Sequence, residues 1–357
     1  MAYITLSRRK LKENYAFLDE LFSKHQISWA IVSKLICGEK QYLKEIIDLG
    51  IKQICDSRVS NLKMIKQIDS SIETIYIKPP ARRALPGVVR YADVSFNTEL
   101  ETIKLLSKEA KKQDKQHKVF IMIEMGELRE GVLRDDLISF YASIFELPNI
   151  EVVGIGTNLT CLTGVLPNED KLIQLSLYKQ LIDAKFNTEI PFVSGGSSVT
   201  IPLIFHSSLP AGVNHFRVGE TLFLGTDVYH DRPFENMHND VIRFYAEIIE
   251  LIEKPMAPSG DMGTNVEGES FSFEDVNPQE MSHRAIIDIG ILDVDAGHIK
   301  PVDDQQKIIG ASSDMIVVDL GSNPDNLKVG NVIEFALDYM GALRLLNSKY
   351  IDKIVVD

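Results

Sequence analysis

The stretch Ile27–Cys55, ISWAIVSKLICGEKQYLKEIIDLGIKQIC, decides the fold, because an apolar run, a helical segment and a second apolar run follow one another within it. The same alternation continues to about residue 225, and it is typical of βα units around a parallel sheet. Eight apolar runs are predicted strands: Ile27–Val32, Ile54–Cys55, Thr74–Ile77, Asp93–Phe96, Val119–Ile123, Val152–Ile155, Phe192–Val193 and Phe216–Val218. Eight strands and their helices predict an α/β fold, a (β/α)₈ TIM-type barrel, which typically needs about 250 residues.

Two of the intervening segments have apolar residues every three or four positions, which predicts helices. The first contains Leu11, Tyr15, Leu18 and Phe22, and the second contains Leu100, Ile103, Leu106 and Ala110. Thr98 and Glu101 have the spacing of a capping box at the start of the second helix.

A second domain is predicted after the barrel, so the domains are residues 1–234 and 235–357. After residue 235 the helical patterns fade, and β-rich runs follow between turn residues: Ala285–Ile289, Met315–Val318 and Val332–Leu337. This indicates a smaller, mainly β domain, with residues 1–6 as a candidate strand of it. Within this second domain, Met256–His283 is rich in Gly, Pro, Ser and acidic residues, and we expect a flexible loop there, over the active site.

Composition narrows the class of partner. The 357 residues carry a formal net charge of −13 without a basic cluster, so neither nucleic acid nor an anionic membrane surface is an expected partner. No apolar run approaches the roughly 20 residues of a membrane helix, and the first ten residues lack a signal peptide, so we expect a cytoplasmic protein. Three cysteines without a C-x-x-C pair, and eight histidines without ligand spacing, predict neither disulfides nor a metal site. A small molecule is the expected partner.

Lys34 follows the apolar run that forms the first barrel strand and precedes a helix. The carboxyl ends of barrel strands form the active face, where a desolvated lysine can lose its proton and attack a carbonyl carbon. A surface lysine at a strand end has the same appearance, so neighbouring motifs must support the assignment.

Two motifs on the seventh and eighth strands provide that support. VSGGSSVT, Val193–Thr200, offers two glycines and the hydroxyls of Ser197 and Ser198. FRVGETLFLG, Phe216–Gly225, places Gly219 and Glu220 where backbone N–H groups can face an anion. Barrels commonly bind phosphate at these two strands. The pair therefore predicts a phosphate site.

Arg217 precedes Gly219 by two residues on the same strand end. A guanidinium there can contact the pyridine nitrogen of a cofactor whose phosphate lies at the glycine. Because arginine stays charged, it keeps that nitrogen unprotonated and disfavours long-lived carbanions, which suits racemisation.

With these motifs the chain resembles, over nearly its whole length, the alanine/ornithine racemase family of pyridoxal-phosphate (PLP) enzymes, fold type III. The matching segments are SKLICGE from Ser33, DSRVSNLK from Asp56, ADVSFNTEL from Ala92, GELREGV from Gly126, GIGTNLTC from Gly154, VSGGSS from Val193, NHFRVGE from Asn214, LDVD from Leu292 and GASSDM from Gly310.

The resemblance implies PLP as cofactor and Lys34 as its Schiff-base lysine and catalytic base. It further implies roles for six other residues: Ser198, Gly219 and Glu220 as phosphate ligands, Arg217 at the ring nitrogen, Arg129 near the substrate carboxylate, and Tyr339 as a further phosphate contact.

Three positions depart from the alanine racemase pattern. Ile291 stands where a partner-subunit tyrosine acts on the opposite face of the substrate, and the nearby Asp293 is the candidate second base. Asn158 replaces a histidine that stacks on the cofactor, and Gly38 replaces a tyrosine that reaches the phosphate. These departures argue against alanine as substrate.

We therefore predict a racemase of a basic amino acid, ornithine or lysine. Asp293, Asp295 and Asp314 are acidic candidates for facing the basic side chain, with Ser313 beside them as a substrate contact. A site completed by the partner's β domain requires a homodimer. The alternatives are a PLP lyase or decarboxylase on the same fold, a non-catalytic PLP carrier, and a cofactor-free Schiff-base aldolase.

Overall fold

The computed structural model describes residues 2–264, 268, 270, 272, 277 and 279–357. The chain forms two compact units: one is Arg9–Asn239, and the other joins Met1–Arg8 to Asp240–Asp357. The chain begins with strand β1 (Tyr3–Ser7), which belongs to the second unit.

The unit Arg9–Asn239 is a parallel barrel. Its strands are β2 (Ser28–Val32), β3 (Gln53–Asp56), β4 (Glu73–Tyr76), β5 (Val94–Asn97), β6 (His117–Met122), β7 (Ile150–Gly156), β8 (Phe192–Ser194), β9 (Gly196–Ser197) and β10 (His215–Val218). They pair in the order β8-β7-β6-β5-β4-β3-β2-β10-β9. Because β8 and β9 are separated by Gly195 alone, the predicted seventh strand pairs with β7 through its first half and with β10 through its second. The barrel closes at this bend, and the (β/α)₈ prediction is confirmed.

The helices of this unit are α1 (Arg8–Lys24), α2 (Lys40–Asp48), α3 (Val59–Ile68), α4 (Leu85–Tyr91), α5 (Leu100–Lys112), α6 (Leu137–Phe145), α7 (Glu169–Phe186), α8 (Ile201–Phe205) and α9 (Glu220–Leu224). The short strands β11 (Thr226–Asp227) and β12 (Arg232–Pro233) follow as a hairpin. The predicted capping box is wrong, because α5 has Glu99 as its N-cap, one residue after Thr98, and no side chain caps it. None of the helices in the described part of the chain is long and apolar enough to cross a membrane.

The barrel interior is apolar with a few satisfied polar groups. Nonpolar side chains from six strands pack together, among them Ala30, Cys55, Ile75, Phe96, Phe120 and Met122. Two buried histidines lie with them: His117 Nε2 is 2.8 Å from Ser95 Oγ, and His215 Nδ1 is 2.7 Å from Ser194 Oγ. Burial lowers the pKa of His117 to about 4 and that of His215 to about 3, so both are neutral at physiological pH.

The second unit is mainly β. After β1 it contains β13 (Ile242–Pro255), β14 (Met281–Ile287), β15 (Ile299–Pro301), β16 (Lys307–Ala311), β17 (Ile316–Asp319), β18 (Val332–Leu337), α10 (Tyr339–Asn347) and β19 (Asp352–Val356). The sheet order is β15-β18-β13-β14-β17-β16, and β1 pairs antiparallel with β13 and parallel with β19. The mainly β prediction for the carboxyl-terminal part is confirmed.

The predicted loop Met256–His283 is too long at its end. Pro255 pairs with Met281, so Met281–His283 belong to β14. Within the remainder, residues 265–267, 269, 271, 273–276 and 278 lie outside the described residues. Its flexibility and its place over the active site stay predictions.

Candidate active site

Lys34 lies in a single 3₁₀ turn, Ser33–Ile36, directly after β2, and its side chain is exposed. The turn is attached to the neighbouring strand by Ser33, whose Oγ donates to Asp56 Oδ2 at 2.8 Å and to the carbonyl of Cys55 at 3.2 Å. Asn61 Nδ2 donates to the same carboxylate at 3.1 Å. Burial raises the pKa of Asp56 even though these hydrogen bonds favour its charged form. The backbone that carries Lys34 is therefore fixed by a buried polar cluster.

Gly38 follows the C-cap of this turn, Cys37, and has a positive φ of +80°. A Cβ at this position would lie 2.5 Å from Asn61 Oδ1. The residue at the position of the expected tyrosine is therefore a glycine for a local reason, because Asn61 occupies the space that a side chain would need.

The next barrel strand, β10, pairs in parallel with β2 and carries Arg217, which is only 7% exposed. Its Nη1 donates to Asn158 Oδ1 at 2.6 Å, and its Nη2 donates to the carbonyls of Thr157 at 2.7 Å and Ser194 at 3.3 Å. The guanidinium carbon is 5.2 Å from the centroid of the Phe96 ring. Burial lowers the pKa of Arg217.

Asn158 and Arg129 are joined by a residue that sequence reasoning missed, Glu130. Asn158 Nδ2 donates to Glu130 Oε1, and the Arg129 guanidinium donates to both carboxylate oxygens, from Nε to Oε2 and from Nη2 to Oε1 at 2.7 Å. The hydrogen bond to Glu130 raises the pKa of Arg129. Glu130 lies in the GELREGV motif. From the sequence alone, a glutamate next to an arginine cannot be distinguished from an ordinary ion pair on the surface.

The predicted phosphate residues lie on β9, β10 and the turns after them. Ser197 is the N-cap of a 3₁₀ turn, Ser198–Thr200, and forms a capping box with Thr200. Ser198 Oγ, nearly buried, accepts from the backbone N–H of Thr221 at 3.3 Å, which joins the two turns. Gly219 is the N-cap of α9, where Glu220 is half-buried.

Gly219 lies close to Val32 of β2. A Cβ there would lie 3.0 Å from the carbonyl oxygen of Val32 and 3.2 Å from its Cβ. Because Val32 is two residues before Lys34, this contact brings the proposed phosphate turn against the turn that carries the lysine.

Glu127 organises the loop after β7. Its buried carboxylate accepts hydrogen bonds from five backbone N–H groups, those of Thr160, Cys161, Leu162, Thr163 and Val165. Burial alone would raise the pKa of Glu127, but these donors lower it to about 2. The loop holds the exposed Cys161.

Five predicted site residues lie in the β unit: Asp293, Asp295, Ser313, Asp314 and Tyr339. Asp293 Oδ1 accepts from Ser348 Oγ at 3.0 Å. Ser313 and Asp314 are exposed and hydrogen-bonded to each other, and the backbone of Ser313 accepts from Leu292 N at 3.0 Å, so their turn lies beside the one with Asp293. Tyr339 is the first residue of α10.

The structure thus brings eight predicted residues onto one end of the barrel unit: Lys34, Arg129, Asn158, Ser197, Ser198, Arg217, Gly219 and Glu220. Asp293, Ser313, Asp314 and Tyr339 belong to the other unit. Among the residues described, no group of three or more His, Cys, Asp or Glu could hold a metal ion.

One observation in particular supports a fit between PLP and the residues at this end of the barrel. In the described part of the chain, the buried Nε of Arg217 has no hydrogen-bond partner, whereas Nη1 and Nη2 are both used. A buried, unpaired N–H costs roughly 1–3 kcal/mol, so an acceptor from a ligand would remove a real penalty. A pyridine nitrogen is such an acceptor. The turns after β9 and β10, which contain Ser197, Ser198 and Gly219, and the exposed Lys34 after β2 complete the donor set.

Comparisons with known proteins agree with this geometry. The family described as "Alanine racemase, N-terminal domain" matches residues 6–227. The ornithine racemase of Acetoanaerobium sticklandii is 38% identical over 98% of both chains. The lysine racemase of Thermotoga maritima is 27% identical over 98% of this chain and 97% of its own. A crystal structure of alanine racemase from Bartonella henselae with covalently bound pyridoxal phosphate superposes with a TM-score of 0.73 at 16% identity, covering 99% of both chains, and this likeness concerns the fold.

Proposed function

The chain belongs to the alanine racemase family, and from that premise we propose that it is a PLP-dependent racemase that interconverts the L- and D-forms of a basic amino acid, ornithine or lysine. The observation that carries the reaction class is the pairing of β2, which ends two residues before Lys34, with β10, which contains Arg217 and ends directly before Gly219. The choice of substrate rests on the two full-length relatives, an ornithine racemase and a lysine racemase.

When bound, PLP withdraws electrons from the α-carbon of the attached amino acid and so acidifies its hydrogen. We assign Lys34 to hold the cofactor covalently, and Ser197, Ser198, Gly219 and Glu220 to its phosphate. We assign Arg217 and Asn158 to the pyridine ring of the cofactor. Tyr339 is proposed as a further phosphate contact.

Within this assignment Lys34 removes or returns the α-proton on one face of the substrate, and Arg129 binds the substrate carboxylate. Racemisation needs proton transfer on the other face as well. We propose that Asp293 of a second copy serves that face, with its Ser313 and Asp314 toward the basic side chain. This requires a homodimer. We further propose a cytoplasmic location, which the three free cysteines support.

The direct test incubates the purified protein with single enantiomers of ornithine, lysine, alanine and serine and follows each by chiral chromatography. We expect ornithine or lysine to reach a one-to-one mixture and alanine to react far more slowly. A protein that leaves the optical activity of all four amino acids unchanged contradicts the proposal.

Lys34→Ala is expected to abolish both the visible absorbance of the bound cofactor and turnover. Lys40→Ala removes an exposed lysine six residues further on and is the matched control, expected to keep both. Product analysis separates the alternatives, because a lyase or decarboxylase gives a different compound rather than the opposite enantiomer.

A further inference from the structure

Glu130 connects the two arginines of the barrel end, and nothing in the proposed function uses it. Its side chain is 15% exposed, against 37% for that of Arg129. On one side its carboxylate accepts two hydrogen bonds from Arg129, and on the other it accepts one from Asn158, which in turn accepts from Arg217. The result is a continuous chain of hydrogen bonds: Arg129, Glu130, Asn158, Arg217.

The chemistry of the donors fixes the orientation of each member. A guanidinium can only donate and an ionised carboxylate can only accept, so the amide between them has one satisfactory orientation, with Nδ2 toward Glu130 and Oδ1 toward Arg217. The two-point contact of Arg129 with the carboxylate likewise fixes the plane of that guanidinium.

The electrostatic balance also depends on Glu130. Two guanidinium groups and one carboxylate belong to this chain of hydrogen bonds. Burial alone would raise the pKa of Glu130, but hydrogen bonds from Arg129 and Asn158 and the charges of both arginines hold it below its ordinary value. Glu130 therefore remains the counter-charge of the pair at physiological pH.

We propose that Glu130 is a positioning residue that acts through Asn158 on Arg217, and so on the cofactor ring, while it also orients Arg129 toward the substrate carboxylate. The proposal rests on the proposed function, since it needs Arg217 at the ring and Arg129 at the carboxylate. In this proposal one carboxylate fixes the position of Arg217 on the cofactor side of the site relative to Arg129 on the substrate side.

The test compares Glu130→Gln with Asn158→Ala, because the two changes cut the chain at different places. Glu130→Gln removes the charge with little change in shape and affects both ends, whereas Asn158→Ala cuts only the branch to Arg217. We expect both variants to shift the absorbance maximum of the bound cofactor and to weaken its binding to the apoprotein at least threefold. Only Glu130→Gln should also raise KM for ornithine or lysine, by about tenfold.

Two further variants exclude a merely structural role. Glu130→Asp, which keeps the charge, should restore part of the cofactor spectrum. Glu101→Gln removes the exposed carboxylate that pairs with Lys104 on α5 and should leave spectrum, cofactor affinity and KM unchanged. In the double variant Glu130→Gln/Asn158→Ala, the spectral shift should equal that of Asn158→Ala alone, because Glu130 acts on Arg217 only through Asn158.

The outcomes separate this proposal from the function on which it rests. If the unchanged protein binds PLP and racemises ornithine or lysine, but Glu130→Gln keeps the parental spectrum, cofactor affinity and KM, the positioning role is overturned. The same holds if the spectral effects of the two single changes simply add. If the unchanged protein neither binds PLP nor racemises any amino acid, the proposed function fails first.

Discussion

Gly38 lies just after the turn that carries Lys34, and a comparison with Gly50 allows the effect of a side chain at this position to be measured. Gly38 and Gly50 both have positive φ, +80° and +88°, but a Cβ would meet Asn61 Oδ1 at 2.5 Å only at Gly38 and nothing within 4 Å at Gly50. Gly50→Ala should therefore cost only the backbone strain of an alanine in the left-handed region, about 1–2 kcal/mol. Gly38→Ala should cost about 1–3 kcal/mol more, the usual penalty of overpacking.

Urea midpoints of the two variants measure this difference. Gly38→Ala should also lower racemase activity, because Asn61 holds Asp56, which holds the turn through Ser33. Equal midpoints for the two variants would show that Asn61 moves aside without cost.

Individual site residues could be predicted from the sequence where their position relative to a strand already indicates a function. Lys34 and Arg217 come at strand ends, so the sequence places them on the active face once the strands are known. Glu130 has no such mark, because its role depends on Asn158, 28 positions away, and on the angle at which two loops meet. Glu127 was missed for the same reason.

The loop Thr160–Val165 is held by one carboxylate, that of Glu127. The local stability of the loop can therefore be tested with a single substitution. Replacing Glu127 by Gln removes the charge that its backbone donors face, and charge-assisted hydrogen bonds are worth roughly 1.5–3 kcal/mol each. We expect Glu127→Gln to increase amide hydrogen exchange across Thr160–Val165 strongly, while β6 and β7 keep their protection. Glu146→Gln, at the end of α6, is the control and should change neither. Unchanged exchange in the loop of Glu127→Gln would contradict the assignment.

The secondary-structure elements were predicted best where both faces of a strand are buried. All eight predicted barrel strands are present, because nearly continuous apolar runs mark a covered parallel sheet. The division of the seventh strand at Gly195 was not predictable, since it depends on barrel closure: a Cβ on the next residue, Gly196, would lie 2.2 Å from the Phe216 ring. The capping box failed because Thr98 and Glu101 fit the spacing, while the helix starts one residue later.

The pH dependence of the free energy of unfolding is a property of the whole molecule. We expect two buried histidines to dominate it. In the folded chain the pKa of His117 is about 4 and that of His215 about 3, whereas an unfolded histidine titrates near 6.5. Above pH 6.5 the two histidines are unprotonated in both the folded and the unfolded chain, so they do not lower the free energy of unfolding. As pH falls from 6.5 toward 4, the unfolded chain binds protons that the folded chain does not, so the free energy of unfolding decreases, by up to about 2.7 kcal/mol per pH unit for two groups.

Urea midpoints between pH 4.5 and 7.5 check this dependence. The double variant His117→Asn/His215→Gln should show a flatter profile, although its midpoint at pH 7.5 is expected to be lower because buried hydrogen bonds are lost. His25→Gln, at an exposed position, should follow the unchanged protein. Glu127, with its pKa of about 2, adds a further loss only below pH 4.5. A flat profile for the unchanged protein from pH 6.5 to 4.5 would contradict the role of the two histidines.

The division of site residues between two units leads to a prediction about assembly. Lys34 belongs to the barrel unit and Asp293 to the β unit, so in the proposed homodimer each site takes its two bases from different chains. Lys34→Ala and Asp293→Asn should each be inactive alone. After unfolding and refolding together in equal amounts, half of the dimers contain one chain of each kind, and one of their two sites has both bases, so about a quarter of the parental activity should return. Mixtures that stay inactive although mixed dimers form would show that Asp293 acts within its own chain or not at all.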